Sequence, residues 1–177
     1  GSSPHILNVY NHGHTLEGHP FVVLELASGS LQDIIDDETP LSQKDRVQLM
    51  VGLAEGVATL HRRGLIHRDI KPDNAFLSKD SNGHGRSFDA SRARLLLADF
   101  GLALSCEAAR LEINALGSSG YAAPEIMPLD GKTPPQYTPR SDVFALAATA
   151  YAFLTGSNPL FDLENRLPEL WPTIEAD

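Results

Sequence analysis

His67-Arg68-Asp69-Ile70-Lys71-Pro72-Asp73-Asn74 is the stretch on which the reading of this chain turns. It holds an aspartate able to take a proton from a hydroxyl, a lysine two residues on, and an asparagine able to hold a metal ion. Five fixed residues (His, Arg, Asp, Lys, Asn), each at about 5% abundance, coincide by chance in on the order of three in ten million windows. Asp99-Phe100-Gly101 and Ala123-Pro124-Glu125 follow in order further along the chain.

Leu65-Ile66 leads into the stretch, and Ala75-Phe76-Leu77 leaves it as a short predicted strand with Leu95 to Ala98 as its partner. Between these strands, the Gly/Ser/Asp-rich residues from Ser78 to Arg94 read as a solvated loop. Upstream, a helix is expected from Gln43 to Arg63, with Ser42 as N-cap, Asp45 three residues on and Gly64 as the stop. Val47, Met50, Val51, Ala54, Val57 and Ala58 form its apolar stripe. A short helix from Leu31 to Ile35 follows a break at Ala27-Ser28-Gly29-Ser30. Two strands, Ile6 to Tyr10 and Phe21 to Leu26, open the chain. Asn11 to Pro20 between them reads as an exposed connection whose His12, His14 and His19 lack a metal-ligand set.

A chain of 177 residues with 42% hydrophobic content suits one domain, or a large piece of one, with a real core. Its net charge of −9 argues against nucleic acid or an anionic membrane surface as main partner. Cys106 is the single cysteine, so no disulfide forms within the chain, and a reducing, cytoplasmic setting is expected. Gly1 to Pro4 has neither the basic nor the apolar region of a secretory leader. The longest charge-free apolar run, Val143 to Leu154, falls short of the ~20 residues that span a bilayer. It reads as a helix buried on all sides in the protein core.

The motifs together resemble the protein kinase family, and Lys71 resembles its serine/threonine branch. The resemblance implies an α+β, protein-kinase-like fold. Residues 1–27 would be the end of the small β lobe, and residues 28–177 a mainly α-helical large lobe cut short after its organising helix. It also implies ATP and Mg²⁺ as cofactors and serine or threonine hydroxyls of a protein substrate as acceptors. Asp69 would then act as base and Lys71 would offset charge on the transferred group, while Asn74 and Asp99 would offer the oxygen ligands that suit Mg²⁺. Glu25 and Ala27 would meet adenine through their backbone, and Phe76 would floor its pocket. Ser118 would bond Asp69 and Lys71 and so position the substrate. His67 and Phe100 would be packing residues, joined by Val9, and Gly101 would let the chain turn beside the metal. Asp142, near the start of a helix, would accept hydrogen bonds from the catalytic-loop backbone.

Arg68 pairs in this family with a phosphorylated residue of the activation segment. Asp99 to Gly117 contains only one hydroxyl, Ser105, beside Glu107 and Glu112. The expectation is that Arg68 meets one of these carboxylates or that the segment is not controlled by phosphate. The sequence departs from the family pattern at both flanks. No Gly-rich phosphate loop or strand lysine precedes Ile6, and Leu163 to Asp177 is polar and proline-punctuated. Glu125 would lack its usual arginine partner, a cost of about 3–5 kcal/mol if the carboxylate is buried. These residues alone are therefore expected to have little activity. A non-catalytic pseudokinase or scaffold module, and an aminoglycoside-type phosphotransferase, are the competing readings. The latter generally lacks both Lys71 and the Tyr121 to Glu125 segment.

Overall fold

Residues 3–78, 93–118, 120–127 and 133–158 are described by a computed structural model. Most of the loop expected from Ser78 to Arg94, and all of the tail from Leu163, lie outside them. The chain divides into two compact units. The first comprises residues 1–63 and 73–99, the second residues 64–72 and 100–177.

The first unit opens with an antiparallel hairpin of β1 (Val9–His14) and β2 (Pro20–Leu24). β1 starts three residues later than the apolar pattern suggests, because residues 5–7 are engaged elsewhere. Leu7 N–H donates to the Leu97 carbonyl at 2.9 Å and Leu97 N–H to the His5 carbonyl at 3.0 Å. The strands also extend into the expected connection, leaving only 15–19 between them. Ala27-Ser28-Gly29-Ser30 does not merely break a strand. It forms β3 (Ala27–Ser30), which pairs with β5 (Ala75–Ser78), and β5 pairs in turn with β6 (Leu95–Leu97). Ser30 then caps α1 (Leu31–Asp36) reciprocally, its hydroxyl accepting from Asp33 N–H while the Asp33 carboxylate accepts from Ser30 N–H.

α2 (Gln43–Arg62) is capped by the Ser42 hydroxyl, which accepts from Asp45 N–H at 3.1 Å, and is followed by left-handed Gly64. Its buried face keeps Val57 of the expected stripe but is otherwise shifted. Leu49, Gly52, Leu53, Gly56, Val57 and Leu60 are inside, whereas Val47 and Val51 are about half exposed. Two glycines, invisible to a hydrophobic pattern, explain the rotation, because they let the chain at His5 lie directly on the helix. A Cβ on Gly56 would stand 2.5 Å from the His5 carbonyl oxygen. The His5 ring bridges Glu55 at 3.1 Å and the Leu95 carbonyl at 3.3 Å. Leu7, Leu96 and Ala98 form a buried cluster there, with Phe76 against it.

In the second unit, β4 (Leu65–Ile66) pairs antiparallel with β7 (Leu104–Ser105), and α3 (Cys106–Ala109) follows at once. The long helix α4 (Pro139–Thr155) begins at the Thr138 cap with proline in its first turn and ends at left-handed Gly156. It is not buried on all sides. Ala145, Ala148, Thr149, Ala152 and Phe153 face inward, while Val143, Tyr151 and Leu154 are 42–55% exposed. Small side chains mark the packed face because they admit close neighbours. A core of Ile66, Ala109, Ala123, Ile126 and Tyr137 completes this unit.

Replacing Gly56 by alanine pits a helix-propensity gain of about 1 kcal/mol against a clash with backbone that cannot rotate away. Overpacking of that kind costs about 1–3 kcal/mol. Gly56→Ala is therefore expected to lower the thermal midpoint. Gly52→Ala, which meets only the movable His5 ring, is expected to lower it less, and differential scanning calorimetry of both variants checks the order.

Candidate active site

A buried carboxylate anchors the backbone of the loop after β4. Asp142, in the first turn of α4 and 1% exposed, accepts from His67 N–H at 2.8 Å and from Arg68 N–H at 2.9 Å. Burying a charge is costly unless it is hydrogen-bonded, and charge-assisted bonds of this kind are the strong ones. Arg68 itself stands at φ 72°, a left-handed conformation costing of order 1–3 kcal/mol for a residue with a Cβ. The buried His67 ring meets Phe100 edge-on at 5.2 Å. Val9, expected as a packing residue with them, is instead 56% exposed on the hairpin.

This loop presents Asp69 and Lys71 to Ser118. The Ser118 hydroxyl donates to Asp69 Oδ1 at 2.9 Å and accepts from Lys71 Nζ at 2.8 Å. Lys71 Nζ also lies 3.4 Å from Asp69 Oδ2. Gly117 makes the approach possible: its φ is 115°, and a Cβ there would stand 2.7 Å from the Arg68 carbonyl oxygen. A carboxylate, an ammonium and a hydroxyl are thus joined in one triangle, positioned by backbone on both sides.

Arg68 meets Glu112 rather than Glu107. Its Nη1 lies 3.2 Å from Glu112 Oε2, with the two side chains 4% and 17% exposed. The guanidinium also donates to the Leu102 carbonyl and stacks over the Tyr137 ring at 4.9 Å. Glu112 Oε1 accepts from the N–H groups of Ile113 and Asn114 and from the Asn114 side-chain amide. The Asn114 N–H, with Arg68 and the other donors, holds this carboxyl below its usual value of 4.5 against partial burial. The lone hydroxyl of the segment, Ser105, is itself engaged, accepting from Ala108 N–H as the cap of α3.

Glu125 is exposed, so the expected burial penalty does not arise, and the Ser141 hydroxyl donates to it at 3.1 Å. The sharp turn expected at Gly101 is taken by Asp99, at φ 59°. Gly101 sits inside a single 3-10 turn, Phe100–Leu102. Tyr137 is the residue that sequence reasoning missed. It lies outside every motif, and nothing in its sequence neighbourhood distinguishes it from an ordinary core tyrosine.

The remaining candidates belong to the first unit. Asn74 is buried at the entry to β5, and its carbonyl accepts from Ala98 N–H at 3.0 Å. That bond brings Asn74 beside the residue preceding Asp99. The two offer one amide oxygen and one carboxylate, which fits Mg²⁺, an ion that binds through one or two protein oxygens and keeps several waters. Among the described residues no cluster of three or more His, Cys, Asp or Glu could hold a metal. Phe76 is half-buried on β5 against Leu7, Leu96 and Ala98. Glu25 accepts from the Asn8 side-chain amide at 2.7 Å, and its N–H donates to the Asn8 carbonyl. Ala27 stands opposite Ser78 at the start of β3.

The chain matches the protein kinase domain over residues 1–170. It is 33% identical over 162 residues to serine/threonine-protein kinase PknL of Mycobacterium tuberculosis, covering 90% of this chain and 36% of that protein. It is 28% identical to the probable serine/threonine-protein kinase pknA2 of Bifidobacterium longum, covering 99% and 21% respectively. To the phosphorylase b kinase gamma catalytic chain, liver/testis isoform, of Mus musculus it is 31% identical over 160 residues, covering 89% and 36%. The family match and these similarities agree: the chain belongs to the protein kinase family. It spans about a third or less of the length of these relatives. Among the described residues no helix is long and apolar enough to cross a membrane.

Hydrogen bonds to a charged group are worth about 1.5–3 kcal/mol each. Asp142→Ala should therefore cost about 3–6 kcal/mol in urea unfolding, and Asp142→Asn, which keeps one acceptor oxygen, roughly half of that. Glu112 should titrate below 4.5 in carboxyl-carbon NMR. Because its folded value lies below the unfolded one, its contribution is present above pH 4.5 and is lost as pH falls through the folded value.

Proposed function

We propose that the protein containing this chain transfers the terminal phosphoryl group of ATP to serine or threonine hydroxyls of a protein substrate. The observation that carries the reading is the triangle of Asp69, Lys71 and Ser118. In phosphoryl transfer the protein mainly positions groups and stabilises charge. Asp69 orients the acceptor hydroxyl and takes its proton, Lys71 offsets negative charge on the transferred group, and Ser118 fixes both while backing the substrate. Asn74 and Asp99 would hold Mg²⁺, whose bound form neutralises charge on the phosphates. Glu25 and Ala27 would meet adenine through backbone groups, with Phe76 beneath it. The boundary between small and large lobes is placed at residues 27 and 28, and the setting is cytoplasmic.

Glu112 supports a second part of the proposal. Its carboxylate already occupies the Arg68 guanidinium, so the segment is held without an added phosphate. No Gly-rich loop or strand lysine occurs in these 177 residues, and by themselves they are proposed to turn ATP over poorly.

The test uses the full-length protein with a serine-containing peptide. Asp69→Asn should reduce kcat by at least about a hundredfold, in the range of lost acid–base catalysis, and phosphatase pretreatment should leave the rate within about twofold. Full activity in Asp69→Asn would sink the kinase reading. Stoichiometric phosphate on Ser105 in active enzyme, found by mass spectrometry, would overturn the phosphate-independent part. Ready ATP turnover by the 177-residue chain, abolished by Asp69→Asn, would overturn the last.

A further inference from the structure

Tyr137 precedes α4, is 4% exposed, and belongs to no motif. Its ring packs in the core with Ile66, Ala109, Ala123 and Ile126. Core packing accounts for a phenylalanine there, but not for what the hydroxyl does. Leu116 N–H donates to the hydroxyl oxygen, and the hydroxyl proton faces the Leu116 and Asn114 carbonyls at 2.9 and 3.1 Å. One oxygen thus serves three backbone groups within three residues of chain.

That stretch is a junction. Asn114 is held by Glu112 on one side, and Leu116 adjoins Gly117, where a Cβ would stand 2.7 Å from the Arg68 carbonyl oxygen. Ser118 comes next and bonds both Asp69 and Lys71. Over the face of the same ring lies the guanidinium of Arg68, the residue before Asp69. Tyr137 therefore touches both chains that converge on the triangle: the segment ending in Ser118 through its hydroxyl, and the loop carrying Asp69 through its ring.

We propose that Tyr137 is a positioning residue that sets the register of the 114–118 backbone against the catalytic loop, and so places Ser118 and the acceptor hydroxyl relative to Asp69. The proposal rests on the kinase reading above and adds a residue to it. It separates the two halves of the side chain. The hydroxyl governs how the acceptor is held, and the ring, stacked with Arg68, keeps the loop in place. Loss of the hydroxyl alone should weaken the protein substrate and leave the nucleotide untouched, because the segment it holds carries Ser118 rather than Asn74 or Asp99.

The experiment is Tyr137→Phe in the full-length protein, read by steady-state kinetics and by amide hydrogen exchange at Leu116. The expected result is a rise of about tenfold in KM for a peptide substrate, an ATP KM within about twofold of the parent, and Leu116 exchange at least about tenfold faster, since its N–H loses its acceptor. Tyr137→Leu, which also removes the ring from Arg68, should lower kcat as well. An unchanged Leu116 exchange rate, or faster exchange with both KM values unchanged, would overturn the proposal. So would a fall in thermal midpoint with no change in kinetics. If the parent protein transfers no phosphate, the kinase reading fails by itself, and the exchange rate at Leu116 still decides whether the hydroxyl holds this backbone.

Discussion

The Asp142 carboxylate anchors the loop that follows β4. Its two oxygens accept consecutive backbone N–H groups, those of His67 and Arg68, from a position in the first turn of α4. Immediately after these two donors the backbone turns, with Arg68 at φ 72°. An arginine in the left-handed region is strained by itself, and the surrounding contacts hold it there: Asp142 on its N–H, and Glu112, the Leu102 carbonyl and the Tyr137 ring on its side chain. The helix end favours the negative charge, and the two N–H groups favour its burial. Each part makes the others affordable.

From that constraint the rest of the second unit follows. With Arg68 turned, its side chain runs to Glu112, the Leu102 carbonyl and the Tyr137 ring, while its carbonyl lies against Gly117. The next residue, Asp69, meets Ser118. One backbone turn therefore accompanies two contacts, the Arg68 side chain with Glu112 and the Asp69 carboxylate with the Ser118 hydroxyl. Removing the turn would not delete a single contact. It would uncouple the segment from the loop.

Motif residues are legible in the sequence because their chemistry needs particular side chains at particular spacings. The spacing from His67 to Asn74, the hydroxyl at Ser118 and the lone serine among carboxylates at 105–112 are of that kind. Packing is less legible. The buried face of α2 escapes a hydrophobic pattern because Gly52 and Gly56 contribute by having no side chain, which such a pattern scores as gaps. The exposed flank of α4 escapes it because apolar composition does not say on which side small residues admit a neighbour. Strand β3 is hidden since Ala-Ser-Gly-Ser has no strand propensity of its own and is held by its partner β5. Tyr137 is hidden for a related reason: the partners of its hydroxyl are backbone groups, and backbone leaves no trace in residue identity.

Charge explains why a carboxylate suits the place opposite Arg68. The chain carries −9 overall, and Glu107 and Glu112 already sit in the segment. A phosphate would add about −1.5 to −2 at neutral pH where one guanidinium is the cation in contact with Glu112. One carboxylate matches one guanidinium, and the Asn114 and Ile113 N–H groups solvate its second oxygen. These donors hold the Glu112 carboxyl below its ordinary range, so the group facing Arg68 is a carboxylate at neutral pH. On the proposed reading, the place opposite Arg68 is filled by the segment's own carboxylate rather than by a phosphate on Ser105.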